Sequence, residues 1–177
     1  MTITAPQKTA PALPPLQPTG WLRYLSFSVD HKVIGLQYLV CGFAFYLIGG
    51  AMAGAIRTEL LSPVSDFMAR DVYNQILTLH GTVMIFLWIV PVVNGAFGNY
   101  LIPFYVGARD MAYPRLNAVA FWLIPPAGLM LISSYFITGA AQSGWTAYPP
   151  LSITTPATGQ IIWILSVLLL GGSSIFG

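Results

Sequence analysis

Four long apolar runs, each free of charged residues, divide the chain. They cover Val33 to Ile56, about Asn74 to Phe97 with small and polar residues continuing towards Tyr105, about Asn117 to Thr138, and about Gly159 to Gly177. Each meets the length of about 20 residues that an α-helix needs to cross a bilayer. The pattern predicts spanning helices over about 33–56, 74–104, 117–138 and 159–177. The expected fold class is therefore all-α, a multi-pass transmembrane helical bundle. Composition points the same way: 56% of residues are hydrophobic and 7% charged, against about a quarter charged in an ordinary soluble domain. No soluble core absorbs that excess, so the lipid bilayer is the expected solvent and partner.

Outside the runs the chain is polar or rich in proline. Residues 1–20 hold Pro6, Pro11, Pro14, Pro15 and Pro18. They lack the basic start and apolar middle of a cleavable signal, and read as a disordered tail ahead of the domain over 21–177. Cys41 is the one cysteine in the chain, which excludes an internal disulfide framework and reads as a small packing residue. The net charge of +2 comes without a basic patch, so nucleic acid is not an expected partner.

The basic residues that flank the runs set an orientation. The N-terminal flank holds Lys8, Arg23 and Lys32, the first loop Arg57 and Arg70, and the second loop Arg109 and Arg115. The loop over about 139–158 holds none, and no Lys, Arg, Asp, Glu or His follows Arg115. The bias places the N-terminus and the second loop on the cytoplasmic side.

His80 is the residue that calls for chemistry. It lies about six residues inside the second run, or about 9 Å at 1.5 Å per residue, where an ionisable group is costly without a use for it. On the residues alone it reads either as a histidine hydrogen-bonded to a neighbouring helix or as a metal ligand. Gly81 beside it would let a flat ligand approach the helix. Arg57 ends the first run and reads as an interfacial anchor that snorkels to headgroups, or as a guanidinium able to donate hydrogen bonds to a cofactor. Asn94, Asn99 and Asn117 are amides at or near the membrane boundary, with Asp110 between the last two. They read as ordinary helix-end polarity, or together as groups able to hold a chain of waters, with a carboxylate at its mouth. Trp145 and Tyr148 lie in the proline-stiffened segment Gly144 to Ser152 and suit an interfacial aromatic belt.

These motifs, in this order, resemble the N-terminal third of subunit I of the haem–copper cytochrome c oxidases. The markers are Asp30-His-Lys32, Arg57-Thr-Glu-Leu60, Leu79-His-Gly81, Gly98-Asn-Tyr100, the run from Gly107 to Asn117, and Gly144 to Ser152. The last run stops at Gly177 without a polar exit or basic stop, which predicts a longer polytopic subunit. By resemblance that subunit has about twelve helices.

The resemblance implies roles residue by residue. His80 matches an axial ligand of the low-spin haem a iron, and Arg57 the arginine that hydrogen-bonds that haem's formyl group. Glu59 matches a carboxylate of a peripheral cation site found in some members. Asp110 matches the entrance acid of the D proton pathway, with Asn99 and Asn117 just inside. Trp145 matches a tryptophan near the propionates of the high-spin haem. The implied activity is proton-pumping reduction of O2 to water, with electrons from cytochrome c or a similar donor. Haem a3, copper B and copper A of subunit II are the further implied cofactors, and subunits II and III the implied partners. The implied location is a bacterial inner membrane or another respiratory membrane. No catalytic residue of the oxygen chemistry is expected within this chain. A quinol oxidase of the same superfamily is the nearest alternative, and a transporter or structural membrane module without haem the distant one.

Overall fold

A computed structural model of the chain describes residues 20–64, 67–137 and 139–177. The proline-rich tail expected over residues 1–20 falls outside this range save for Gly20, and so does Thr138 at the expected end of the third run. The described residues form helices and connecting turns, and the expected all-α bundle of four spanning helices is what is found. The helices are α1 (His31–Glu59), α2 (Arg70–Val106), α3 (Pro114–Ile137) and α4 (Ala157–Phe176), all long and apolar enough to cross a membrane. They run alternately up and down. His31 of α1 meets Asn99 of α2 at one end of the bundle, and Gly49 of α1 meets His80 of α2 nearer the other.

Each boundary has a local cause. Asp30 caps α1, its Oδ1 accepting the Lys32 N–H at 2.9 Å, which satisfies one of the free donors of the first turn. The short 3-10 helix Gly20–Leu25 is tied onto α1 by Gln37, whose Nε2 donates to the carbonyls of Tyr24 and Ser26. Helix α2 ends at Gly107, whose φ of 72° is the left-handed conformation that terminates helices and that glycine adopts without a Cβ clash.

The middle of α2 is unusual. Over Val83–Ile89 and again over Pro91–Gly98 the backbone is π-helical. Pro91 has no N–H to give to the preceding turn, and wider turns are one way a helix absorbs such a break.

Helix α1 packs along the length of α2, α3 pairs with α4, and contact between α1 and α3 joins the two pairs. The contacts are close because small residues face large ones, as is usual where helices associate in lipid. A Cβ on Gly95 would run into the Tyr38 ring, and one on Gly128 into the Phe45 ring. The buried core includes Ile34, Tyr38, Leu79, Val83, Leu87, Phe121, Leu131 and Trp163. Large apolar side chains such as Val40, Leu47, Leu129 and Leu168 face outward. Lipid or neighbouring helices tolerate such a surface, whereas water does not.

Candidate functional site: a histidine at one end and an amide cluster at the other

His80 stands on α2 between two buried threonines. Thr78 and Thr82 are four residues apart and share one face, and both are fully buried. His80 lies two residues from each, so it points off that face and is only half-buried. Its Nδ1 lies 2.9 Å from the Gly49 carbonyl oxygen of α1. A carbonyl can only accept, so Nδ1 carries the proton and donates it. In the neutral form of a ring held this way, the lone pair is on Nε2. This is how a metal-binding imidazole is commonly oriented, with the remote N–H held by a carbonyl. The donor chemistry fits a single imidazole ligand to a metal. The chain's two histidines stand apart, His31 at the start of α1 against Asn99 and His80 on α2 against Gly49, and no cluster of three metal-binding side chains occurs among the described residues.

The threonine face holds the neighbouring elements in place. Thr82 Oγ1 accepts the Trp163 indole N–H of α4 at 2.9 Å while donating to the Thr78 carbonyl. Thr78 Oγ1 accepts the Gly144 N–H at 2.9 Å. Gln75 Oε1 accepts the Ala140 N–H at 3.0 Å, and Ser143 donates to Gln160. The loop between α3 and α4 is thereby fixed against α2 and α4. It carries Trp145 directly over Gly81, where an added Cβ would come within 3.0 Å of the indole Cδ1. The space left by Gly81 is therefore taken by Trp145, not held open for a flat ligand as the sequence suggested. Trp145 also meets Phe86 edge-on, with ring centroids 6.2 Å apart.

Arg57 lies in the last turn of α1, exposed. It is two turns beyond Gly49, about 12 Å along the axis at roughly 1.5 Å per residue. It shares a helix with the His80 anchor, but its side chain makes no hydrogen bond or ion pair to the described residues. Glu59 closes the following loop, its Oε2 accepting the Met68 N–H at 3.0 Å.

At the other end, Asn99 and Asn117 meet. The Asn117 amide N–H donates to the Asn99 side-chain oxygen, and Asn99 Nδ2 donates to the Gly95 carbonyl at 2.7 Å. Both asparagines are buried. Asn117 Oδ1 is buried and has no hydrogen-bond donor among the described residues, which leaves an acceptor suited to a small donor such as water. His31, used in the sequence reading only as part of a motif, is buried against this cluster. Its Nδ1 donates to the Asn99 backbone carbonyl at 2.8 Å.

Asp110 lies in the turn that joins α2 to α3, half-buried, its Oδ1 accepting the Met111 N–H at 2.8 Å. No hydrogen bond joins it to the asparagine pair, which lies farther inside the bundle. Above the pair is a cavity of about 210 Å³ lined by Tyr38, Asn94, Asn99, Ser173 and Ser174 among others. Ser173 Oγ donates to the Ala120 carbonyl at 2.7 Å. The two serines were not singled out in the sequence. The available signal was their place on an uncharged helix, with Ser166 and Ser173 seven residues apart and so on one face.

Comparison with known proteins shows the family. Residues 33–177 match the family model described as cytochrome c and quinol oxidase polypeptide I. The chain is 62% identical over 157 residues to cytochrome c oxidase subunit 1 of Thermostichus vulcanus, an alignment covering 89% of this chain and 28% of that protein. Identity to the Synechocystis protein of the same name is also 62% over 157 residues. To that of Corynebacterium glutamicum it is 40% over 187 residues, covering 99% of this chain and 32% of that protein. The chain thus spans roughly three-tenths of the length of these curated relatives. The chain belongs to the cytochrome c and quinol oxidase polypeptide I family.

Proposed function

We propose that this chain forms the first part of the catalytic subunit of a terminal respiratory oxidase. In that reading it supplies one axial ligand of a low-spin haem a and the entrance of a proton pathway. The observation that carries it is the hydrogen bond from His80 Nδ1 to the Gly49 carbonyl. That bond selects the tautomer of the neutral imidazole in which Nε2 is the free ligand atom, at a depth where an imidazole without a use is disfavoured. The haem, once bound, supplies the one-electron redox chemistry, and the protein orients and tunes it.

The chain's own residues have separable tasks. Gly49 and the α1 backbone set the His80 ring orientation. Thr78, Gly144 and Trp145 close the neighbouring face against water. Arg57, whose side chain is exposed and unpaired among the described residues, is the guanidinium that would hydrogen-bond the formyl group of that haem, and Trp145 is the tryptophan that would stand near the propionates of the high-spin haem. Glu59 retains one carboxylate oxygen for a peripheral cation.

Asp110 gathers protons at the opposite end, on the cytoplasmic side in the orientation that the basic flanks favour. Asn99, Asn117 and their open acceptor then hold water on the way inward. Oxygen reduction, copper B, copper A, haem a3 and the partner subunits II and III belong to the whole assembly. The named relatives are cytochrome c oxidases, which favours cytochrome c or a similar protein as donor over a quinol, and a respiratory membrane as the location.

His80→Met in the full-length protein tests the reading. The low-spin haem absorption should be lost or displaced while the polypeptide is still inserted. An unchanged low-spin spectrum would overturn the assignment.

A further inference from the structure

We infer that the cleft between α1 and α2, at the end of the bundle carrying His31, is a binding site for one anionic phospholipid. The inference rests on the membrane character of the chain and is independent of the haem and proton-path readings.

Two adjoining hollows make up the cleft. One, of about 560 Å³, runs along the helices and includes Leu36, Leu39, Ala96 and Phe97 in its lining. The other, of about 570 Å³, is lined at the bundle end by His31, Lys32, Phe104 and Arg109. They share Lys32, Tyr100 and Leu101. The result is a cationic mouth that opens into an apolar track. A phospholipid has the same division, a phosphodiester at the interface and acyl chains that run towards the bilayer centre.

The cations are available. Lys32 and Arg109 are both exposed and neither has an ion-pair partner among the described residues. Of the nearby carboxylates, Asp30 pairs with Arg23 at 3.5 Å and caps α1, and Asp110 accepts the Met111 N–H. Lys32 is also misplaced for a free helix, because it occupies the first turn of α1, where the dipole disfavours a cation. A bound phosphate offsets both that repulsion and the clustering of Lys32 with Arg109. Leu36, Leu39, Phe97 and Leu101 are exposed apolar side chains along the track, and acyl chains would cover them.

The test uses the full-length protein in its assembly, purified in detergent and offered phosphatidylglycerol, phosphatidylcholine or inorganic phosphate. Native mass spectrometry counts the lipid retained. Wild type should retain one phosphatidylglycerol in preference to phosphatidylcholine. The double variant Lys32→Gln with Arg109→Gln should weaken that retention by roughly tenfold or more. The charge-keeping pair Lys32→Arg with Arg109→Lys should preserve it, and so reports on the site if the neutral variant fails to assemble. Equal retention of the two lipids, or retention unchanged in the neutral variant, overturns the inference. So does displacement by inorganic phosphate as effective as by phosphatidylglycerol, which would mark a phosphate site without an acyl track. Absence of retained phosphatidylglycerol in wild type also overturns it, as expected if another segment of the assembly fills the cleft.

Discussion

Asn117 of α3 donates its amide N–H to the side-chain oxygen of Asn99 on α2, and Asn99 in turn takes the His31 imidazole N–H of α1 on its backbone carbonyl. Three helices are thus held at one residue, at the end of the bundle where Asp110 lies. The arrangement is polar and buried, and it ends on an acceptor that no described side chain fills.

Replacing Asn117 by Leu would remove the donor and leave the Asn99 amide oxygen buried without a partner. The expected cost is about 1–3 kcal/mol of stability, read as a lower thermal unfolding midpoint. Proton uptake by the full-length protein should slow in the same variant. A variant as stable and as fast as wild type would remove Asn117 from the pathway.

Asp110→Asn keeps the shape of the turn and the acceptor for the Met111 N–H but removes the ionisable group. We expect proton uptake in the full-length protein to slow by roughly tenfold or more, with haem content unchanged. Stopped-flow measurement with a pH indicator reads the rate directly, and an unaltered rate would count against Asp110 as the entrance.

Gly95 lies against the ring of Tyr38, so Gly95→Ala must push an aromatic side chain out of a packed interface. Overpacking of this kind costs about 1–3 kcal/mol. Gly50→Ala is the matched control, because nothing lies within 4 Å of its added Cβ. The two variants should separate clearly in thermal denaturation, with Gly95→Ala the weaker protein.

Thr82→Val keeps the volume of the side chain but leaves the Trp163 indole N–H without its acceptor. The expected loss is about 1–3 kcal/mol. Adding Trp163→Phe removes the orphaned donor, so the double variant should lose less than the sum of the two single changes. Strict additivity in that cycle would show that the hydrogen bond does not join α2 to α4 energetically.

The parts of the molecule that were legible in the sequence are those written into short stretches of chain. Four uncharged apolar runs marked the helices, although α1 begins at His31 and α2 at Arg70, earlier than the runs themselves. Both helices continue into polar flanks because helical hydrogen bonding needs no apolar side chain, and Asp30 supplies the cap for α1. His80 was conspicuous because its neighbours are apolar. The partners of these residues were not legible. Nothing near His80 in sequence points to Gly49, and nothing near Gly81 points to Trp145, because each contact depends on how a distant element folds back. Asn99 and Asn117 could be named as amides near a boundary. Their meeting required the turn at Gly107 that brings α3 back along α2. Ser173 and Ser174 passed for small residues on an apolar helix until the cavity beside Asn99 gave them a setting.

The π-helical stretch from Val83 to Gly98 separates His80 from Asn99 on a single continuous helix. Because every residue of a helix rotates the chain about its axis, removing or adding one residue inside that stretch would swing one end of α2 against the other. His80 would then lose its alignment with Gly49, or Asn99 its alignment with Asn117. The stretch therefore works as a fixed-length axle. Many side chains along it can be exchanged, but its residue count cannot, and the partners of His80 and of Asn99 are kept in phase by arithmetic along the backbone.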